Sequence, residues 1–138
     1  MFITDSDLIE VVLYHRKSGH RYIAYTQKEF NKAPLKDDEK AKYSKLCVKM
    51  FQLTWGMYNA LQEEAMVDAG NGDRQFNFKV YKENRLKKLI KEWDAKKDEK
   101  LVPVNEKTLS MLSPTIAESI LRAYDEESML SDEEEGKL

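Results

Sequence analysis

The most constraining feature of the sequence is a long apolar segment between the acidic residues 37–39 and Asp68. Its large apolar residues recur every three or four positions, which is the spacing of one face of an α-helix. Acidic residues at 37–39 stand where the helix dipole favours negative charge. The sequence therefore predicts a helix from these acids to Asp68, with one apolar face made of Tyr43, Leu46, Met50, Leu53, Met57 and Ala60 and a second made of Cys47, Phe51, Trp55 and Tyr58.

A helix that is apolar around more than half of its circumference is either buried at the centre of its own domain or shared with a partner. In a chain of 138 residues both interpretations stay open. If the helix is shared, we expect Phe51, Trp55 and Tyr58 to contact the partner protein, because they belong to the second apolar face. Methionine and aromatic side chains suit adaptable protein contacts.

The composition favours helices along the whole chain. Five Gly and three Pro supply little turn chemistry for an all-β sandwich, and the helix-favouring Lys, Glu, Leu, Ala and Met dominate. We therefore expect a mainly α fold, with one small helical domain over residues 1–127. A possible short β-hairpin lies near its N-terminus. Residues 128–138 are rich in like charges that repel one another, which predicts a disordered acidic tail.

The first 30 residues allow two interpretations. Leu8, Ile9, Val12 and Leu13 have helical spacing, and this interpretation is favoured. Alternatively, residues 9–14 form a strand that turns back through residues 16–20. In either case the residues at 21–26 predict a strand.

The second half of the chain has clear helix boundaries. Residues 70–73 predict a turn, and residues 76–80 are either a short strand or the start of a helix that includes Leu86, Leu89, Ile90 and Trp93. Asn105 is expected to cap a short helix. Ser113 followed by Pro114 starts the last one, and its buried face is Ile116, Ala117, Ile120, Leu121 and Tyr124.

The residues that usually carry catalysis are few. Cys47, the single cysteine, lies on the apolar helix face, which is typical of an inert core thiol. His15 and His20 flank a basic turn without further metal ligands nearby, which favours solvated loop histidines. Residues 70–72 lack the lysine of a phosphate-binding loop. We therefore expect no enzyme activity, no cofactor, no metal and no small-molecule substrate.

Two charged segments bear on function. Residues 76–97 contain Lys82, Arg85, Lys88 and Lys91 beside aromatic residues, and they could contact nucleic acid. The solvated face of an amphipathic helix is the favoured interpretation, so we do not expect nucleic acid as a partner. The acidic C-terminus could dock on this basic helix, but a solubilising tail is favoured.

Several short motifs in the second half carry a family resemblance. In order they are Tyr81-Lys82-Glu83-Asn84-Arg85-Leu86, Trp93-Asp94, Val102-Pro103-Val104-Asn105, Leu112-Ser113-Pro114, Ile116-Ala117-Glu118 and Tyr124-Asp125. This arrangement over residues 78–127 resembles small morphogenesis proteins of tailed bacteriophages, notably tail-assembly chaperones. The resemblance implies a non-enzymatic helical protein that binds a long virion protein, or lies in the virion, during assembly.

Together these patterns predict a protein-binding factor, either a phage virion-assembly chaperone or a structural subunit. Its expected partners are other proteins, among them a virion protein and further copies of itself. A single cysteine, no signal peptide and no apolar run of roughly 18 residues predict a cytoplasmic protein, or one in the virion, without a membrane partner. A nucleic-acid-associated regulator and a small inhibitor of a host enzyme stay as alternatives.

Overall fold

A computed structural model describes the backbone of residues 1–136 and the side chains of residues 1–128. Helices account for 41% of the chain and strands for 30%. The expectation of a mainly α fold is therefore wrong, and the protein has a mixed α/β fold. Its elements are β1 Leu8–Ser18, β2 Arg21–Thr26, α1 Gln27–Lys32, α2 Asp37–Lys40, β3 Ser44–Phe51, α3 Trp55–Glu64, β4 Met66–Asp68, β5 Arg74–Phe76, α4 Phe78–Leu89, β6 Ile90–Trp93, β7 Lys96–Lys97, β8 Lys100–Leu101, α5 Glu106–Ser110 and α6 Pro114–Gly136.

The central sheet consists of four antiparallel strands in the order β2-β1-β3-β6. The long strand β1 pairs with both neighbours, so that Leu13 lies opposite Thr26 on one side and Leu46 on the other. Between β3 and β6 the register shifts at Lys49 and Met50. Two further hairpins, β4–β5 and β7–β8, lie outside this sheet.

The single long helix predicted from residues 37–39 to Asp68 is wrong. The segment begins with the one-turn helix α2, continues as the strand β3 and the helix α3, and ends in the strand β4. Leu46 and Met50 are four residues apart, which is compatible with a helix, but they are also an even number apart and so share one face of a strand. Leu46, Val48 and Met50 are all buried. Pairing with β1 and β6 satisfies both edges of β3, which overrides its helical spacing.

The helix favoured for residues 8–13 is also wrong, since these residues belong to β1. The alternative hairpin is present: β1 extends to Ser18, and Gly19 with a φ of 64° makes the turn into β2. This φ lies in the left-handed region that glycine adopts without strain. The strand predicted at 21–26 is confirmed. Its pairing with β1 supplies the non-local contacts that the local pattern does not reveal.

The boundary signals in the second half are mostly confirmed. Asn105 caps α5 by accepting a hydrogen bond from the Thr108 amide, and the Ser113 hydroxyl caps α6 by accepting one from the Ile116 amide at 3.1 Å. The turn at 70–73 joins β4 to β5. The helix expected to continue through Trp93 ends at Leu89, and its last residues form β6 instead.

The hydrophobic core lies between one face of the sheet and the helices α4 and α6. As predicted, α6 buries Ile116, Ile120, Leu121 and Tyr124, whereas Ala117 is half-buried. The indole N–H of Trp93 donates to the Val102 carbonyl at 2.7 Å and fixes the connection to α5. The core consists of Val11, Leu13, Leu46, Val48, Met50, Leu86, Leu89, Ile90, Trp93, Ile116, Ile120, Leu121, Ala123 and Tyr124.

An aromatic cluster covers part of the opposite sheet face. Phe30 of α1 stacks on Tyr14 with ring centroids 4.1 Å apart, and it also contacts Tyr25 and Tyr43. Thr26 caps α1 in a reciprocal capping box with Glu29. These contacts place α1 against the β1–β2 hairpin.

No helix in the described part of the chain is long and apolar enough to cross a bilayer. The backbone of α6 is described to Gly136, but residues 137 and 138 lie outside the described residues, as do the side chains from residue 129 onward. The disordered acidic tail over 128–138 and the single domain over 1–127 therefore stay predictions.

Candidate functional site

Two of the three predicted protein-contact residues are exposed at the start of α3. Thr54 caps this helix by accepting the Met57 amide at 3.1 Å, which fixes its first turn. Trp55 is 77% exposed and Tyr58 is 41% exposed, and their rings stack with centroids 5.9 Å apart. Phe51, at the end of β3, is half-buried. We call Trp55 and Tyr58 the aromatic pair.

The aromatic pair contributes little to the core, because the same helix turns other residues inward. Leu61 is fully buried and Met57 packs against the core. An exposed tryptophan stacked on an exposed tyrosine is a composition typical of interface centres.

A cleft of about 680 Å³ lies next to the start of α3. One wall is formed by Gln52 and Leu53, the two residues that precede the α3 cap. The other walls come from β1, α4 and α6, with Ile9, Tyr81, Arg85, Tyr124, Asp125, Glu127 and Ser128. We call this space the Arg85 cleft. It is larger than one side chain and combines apolar walls with charged groups, as binding clefts commonly do.

Tyr124 fixes the wall of the cleft. Its hydroxyl accepts a hydrogen bond from the Leu53 amide at 3.0 Å and donates one to the Phe51 carbonyl at 3.1 Å. Burial raises the pKa of Tyr124, so the hydroxyl keeps its proton and can donate. A single side chain of α6 thus satisfies two backbone groups in the connection between β3 and α3.

Arg85 lines the cleft with a side chain that is only 11% exposed. Its guanidinium carbon lies 5.6 Å from the centre of the Tyr81 ring and 5.7 Å from that of Tyr124. The terminal nitrogens pair with the Asp125 carboxylate, whereas Nε is buried without a hydrogen-bond partner among the described residues. The charge of Arg85 is therefore neutralised within the chain.

The other basic residues predicted as possible nucleic-acid contacts are mostly paired as well. Lys82 forms an ion pair with Glu118 at 3.0 Å, and Lys88 forms one with Glu64 at 2.7 Å. Lys91 is exposed on β6, not on the helix, and has no ion pair among the side chains described. The four residues do not form the continuous free basic surface that phosphate contacts need.

Cys47 and His15 do not occupy the positions expected from the sequence, whereas His20 lies exposed in the turn between β1 and β2, as predicted. Cys47 lies half-buried on the outer sheet face, not on a helix, and burial followed by nearby Asp94 raises the pKa of its thiol. A raised pKa is the opposite of what a nucleophilic thiolate requires. His15 is part of β1 instead of a solvated loop, and its burial lowers its pKa. Within the described residues, no cluster of His, Cys, Asp and Glu could hold a metal.

The sequence pattern alone does not predict that residues of α4 and α6 meet in the cleft. Tyr81 and Arg85 are four residues apart on α4, a spacing that predicts a shared face, so this part of the cleft has a local signal. The contact of Arg85 with Asp125 spans 40 residues, and nothing in the local pattern of the acidic segment distinguishes Asp125 from its neighbours. Leu53, which lines the cleft, lies close to Trp55 because β3 ends at Phe51 and α3 begins at Trp55.

No protein-family model, no curated protein and no solved structure matches the chain.

Proposed function

We propose that the protein is a non-enzymatic protein-binding factor that docks a segment of another protein on the aromatic pair and in the adjoining Arg85 cleft. The observation that supports this proposal is the 77% exposure of Trp55, stacked on Tyr58 beside an open cleft. Large exposed aromatic residues are costly to solvate and are enriched at the centres of protein interfaces.

The chemistry of the cleft indicates the kind of segment that fits. Its walls include the apolar side chains of Ile9 and Leu53 and the ring of Tyr81, which suit one inserted apolar anchor. Asp125 and Glu127 lie at the same cleft, and only Asp125 is neutralised by Arg85. Glu127 has no ion pair among the side chains described, and its negative charge favours a partner segment with basic residues beside its apolar anchor.

The resemblance to phage morphogenesis proteins suggests what such a partner is. We propose a virion protein that is bound during assembly in the cytoplasm of the producing cell, which makes the chain a tail-assembly chaperone or a structural subunit. A single partly buried thiol, Cys47, is compatible with a reducing compartment.

A peptide display experiment tests the proposal while the partner is still unidentified. A random peptide library is selected on the immobilised protein, and the enriched peptides are then titrated against purified variants. We expect peptides with an apolar anchor flanked by Lys or Arg. Binding should weaken at least about tenfold in the double variant Trp55→Ala/Tyr58→Ala, which is the loss typical of central interface aromatics. Leu101→Ala is the control, because Leu101 is 63% exposed and does not line the cleft.

The result that contradicts the proposal is equally concrete. If enriched peptides bind the Trp55→Ala/Tyr58→Ala variant as tightly as the unmodified protein, the aromatic pair is not the docking surface. Light scattering at low and high salt adds a separate outcome. A dimer that persists at high salt and dissociates in the double variant identifies a second copy as the bound protein.

A further inference from the structure

The two outer strands of the central sheet differ in how their free edges are protected. The strand β6 has four residues, its register with β3 shifts at Lys49 and Met50, and it carries the exposed Lys91. A short strand, an irregular register and a lysine all discourage an edge from pairing with another chain. The strand β2 pairs with β1 over six residues without a register shift, and Arg21 is its one charged residue. Among the described strands of this sheet, β2 therefore has the less protected edge.

The free backbone groups of β2 belong to Tyr22 and Ala24. In an antiparallel ladder, successive residues point their backbone groups alternately to the two sides. The Cys47 carbonyl accepts the Asp94 amide at 3.1 Å on the β6 side of β3, and this direction fixes the alternation across β1 and β2. Tyr22, Ala24 and Thr26 then point away from β1. The Thr26 amide is bonded to a carboxylate of α1 at 2.9 Å, whereas the amides and carbonyls of Tyr22 and Ala24 have no partner within the described part of the chain.

The edge is open at these two residues. Tyr22 is 38% exposed and Ala24 is half-buried. A shallow groove of about 450 Å³ lies beside Ala24 and is also lined by Pro34 and Arg122. Tyr22 and Ala24 are two residues apart, so their side chains share one face of the sheet. A large and a small side chain thus stand next to each other along the same free edge.

We infer that β2 pairs with β2 of a second copy of the chain, antiparallel and about a two-fold axis at Ile23. In this register, Tyr22 of each copy exchanges two backbone hydrogen bonds with Ala24 of the other. All the backbone groups that β2 leaves unpaired at these two residues are then satisfied. The two four-stranded sheets become one continuous sheet, which removes the free β2 edge from both copies.

The side chains of β2 complement a second copy of the same strand. The large ring of Tyr22 lies opposite the small Ala24, beside the groove, and Arg21 lies opposite the ring of Tyr25, where a cation is attracted. The two Arg21 side chains lie at opposite ends of the paired strands, so like charges do not face each other. Each contact occurs twice because the axis is two-fold. A strand of another sequence offers the backbone bonds without these repeated side-chain pairs.

This interface is separate from the docking surface proposed above and does not depend on it. Trp55 and Tyr58 lie on α3, and none of the residues that line the Arg85 cleft belongs to β2. The Trp55→Ala/Tyr58→Ala variant is therefore expected to remain dimeric. A dimer that dissociates in this double variant and persists in an edge variant of β2 overturns the inference.

Sedimentation velocity measured from about 1 μM to 1 mM protein tests the association. We expect a dimer whose population rises with concentration. Ala24→Pro removes an amide that the single chain leaves unpaired, and proline is tolerated at an edge position of this kind. Its circular dichroism should therefore match that of the unmodified protein, while it stays monomeric over the whole range. Ala24→Ser is the matched control, because it keeps the amide and nearly the same size, and it should remain dimeric. An unmodified protein that is monomeric throughout, or an Ala24→Pro variant that associates as strongly as Ala24→Ser, overturns the inference.

Disulfide cross-linking tests the register in a Cys47→Ser background. Ile23→Cys places two thiols opposite each other in a non-hydrogen-bonded pair, with Cα atoms about 4.5 Å apart, within the range of a disulfide. Arg21→Cys is the control, because its two Cα atoms lie about 14 Å apart, beyond the limit of about 7 Å for a disulfide. With oxidised glutathione as the oxidant, Ile23→Cys should form a covalent dimer at least about tenfold faster than Arg21→Cys. Equal rates overturn the inference.

Discussion

Removing one hydroxyl group, in Tyr124→Phe, should destabilise the protein by about 2 kcal/mol. Tyr124 is 3% exposed, and its hydroxyl bonds the Leu53 amide at 3.0 Å and the Phe51 carbonyl at 3.1 Å. Each backbone group left without its partner costs about 1–3 kcal/mol when it is buried. Both groups are only partly buried, so water recovers part of that cost, which gives about 1 kcal/mol for each. The ring and its contact with Arg85 are retained, so no cavity term is added.

Urea unfolding followed by circular dichroism measures this loss, with the slope m checked for constancy. Tyr22→Phe is the matched control, because Tyr22 is 38% exposed and its hydroxyl has no hydrogen-bond partner among the described residues. That substitution should change the unfolding free energy by less than about 0.5 kcal/mol. A Tyr124→Phe loss equal to that of the control, at unchanged m, refutes the argument that this hydroxyl joins α6 to the β3–α3 connection.

Three further predictions follow from the same contacts. The hydrogen bond from Arg122, first among several causes, lowers the folded pKa of Glu29. The ionised Glu29 therefore stabilises the folded state at pH values above its unfolded pKa, and this contribution is lost as the pH falls through its folded pKa. In Glu29→Gln, the unfolding free energy measured against pH should no longer show this decrease at acidic pH. Glu99 has a φ of 64° in the β7–β8 turn, so Glu99→Gly should raise the unfolding free energy by about 1 kcal/mol in urea titrations; no gain contradicts this backbone conformation. Val48→Thr should lower the unfolding free energy by about 1–3 kcal/mol, because Val48 is fully buried. Cys47→Ser should lower it less, because Cys47 is only half-buried on the other sheet face. A larger loss for Cys47→Ser than for Val48→Thr contradicts the strand register.

The parts of the fold that the sequence predicts correctly are those with local chemical signals. Ser113 and Pro114 mark the start of α6 because a hydroxyl cap and a proline in the first turn both act within a few residues. Asn105 marks α5 for the same reason. The glycines of the turn at 70–73 likewise act through their own backbone freedom. These signals depend on neighbours along the chain, so they do not require the tertiary structure.

The candidate site could be predicted only in part. The exposure of Trp55 and Tyr58 agrees with their place on a second apolar face, although only these two of its four residues lie on a helix and the other two belong to β3. Arg85 stands out in the sequence by its charge, but its pairing with Asp125 connects α4 to α6 across 40 residues. Such long-range contacts have no signature in a single sequence, because any of several acids could have supplied the carboxylate.

The wrong prediction at β3 shows why the sheet is difficult to predict from the sequence. Apolar residues at 46, 50 and 53 fit a helical face, but Val48 lies on neither predicted face and yet is fully buried. A strand explains it, because Leu46, Val48 and Met50 then point to the core while Lys45 and Lys49 alternate toward solvent. The alternation is present in the sequence, and residues such as Lys, Leu and Met, which favour helices, obscure it. A strand in the middle of a sheet obtains its stability from two neighbours, Val11 opposite Val48 on one side and Trp93 on the other. Intrinsic propensity therefore has little influence on the secondary structure of β3. It has more influence on α6, because the cap and the apolar face of α6 lie within one segment.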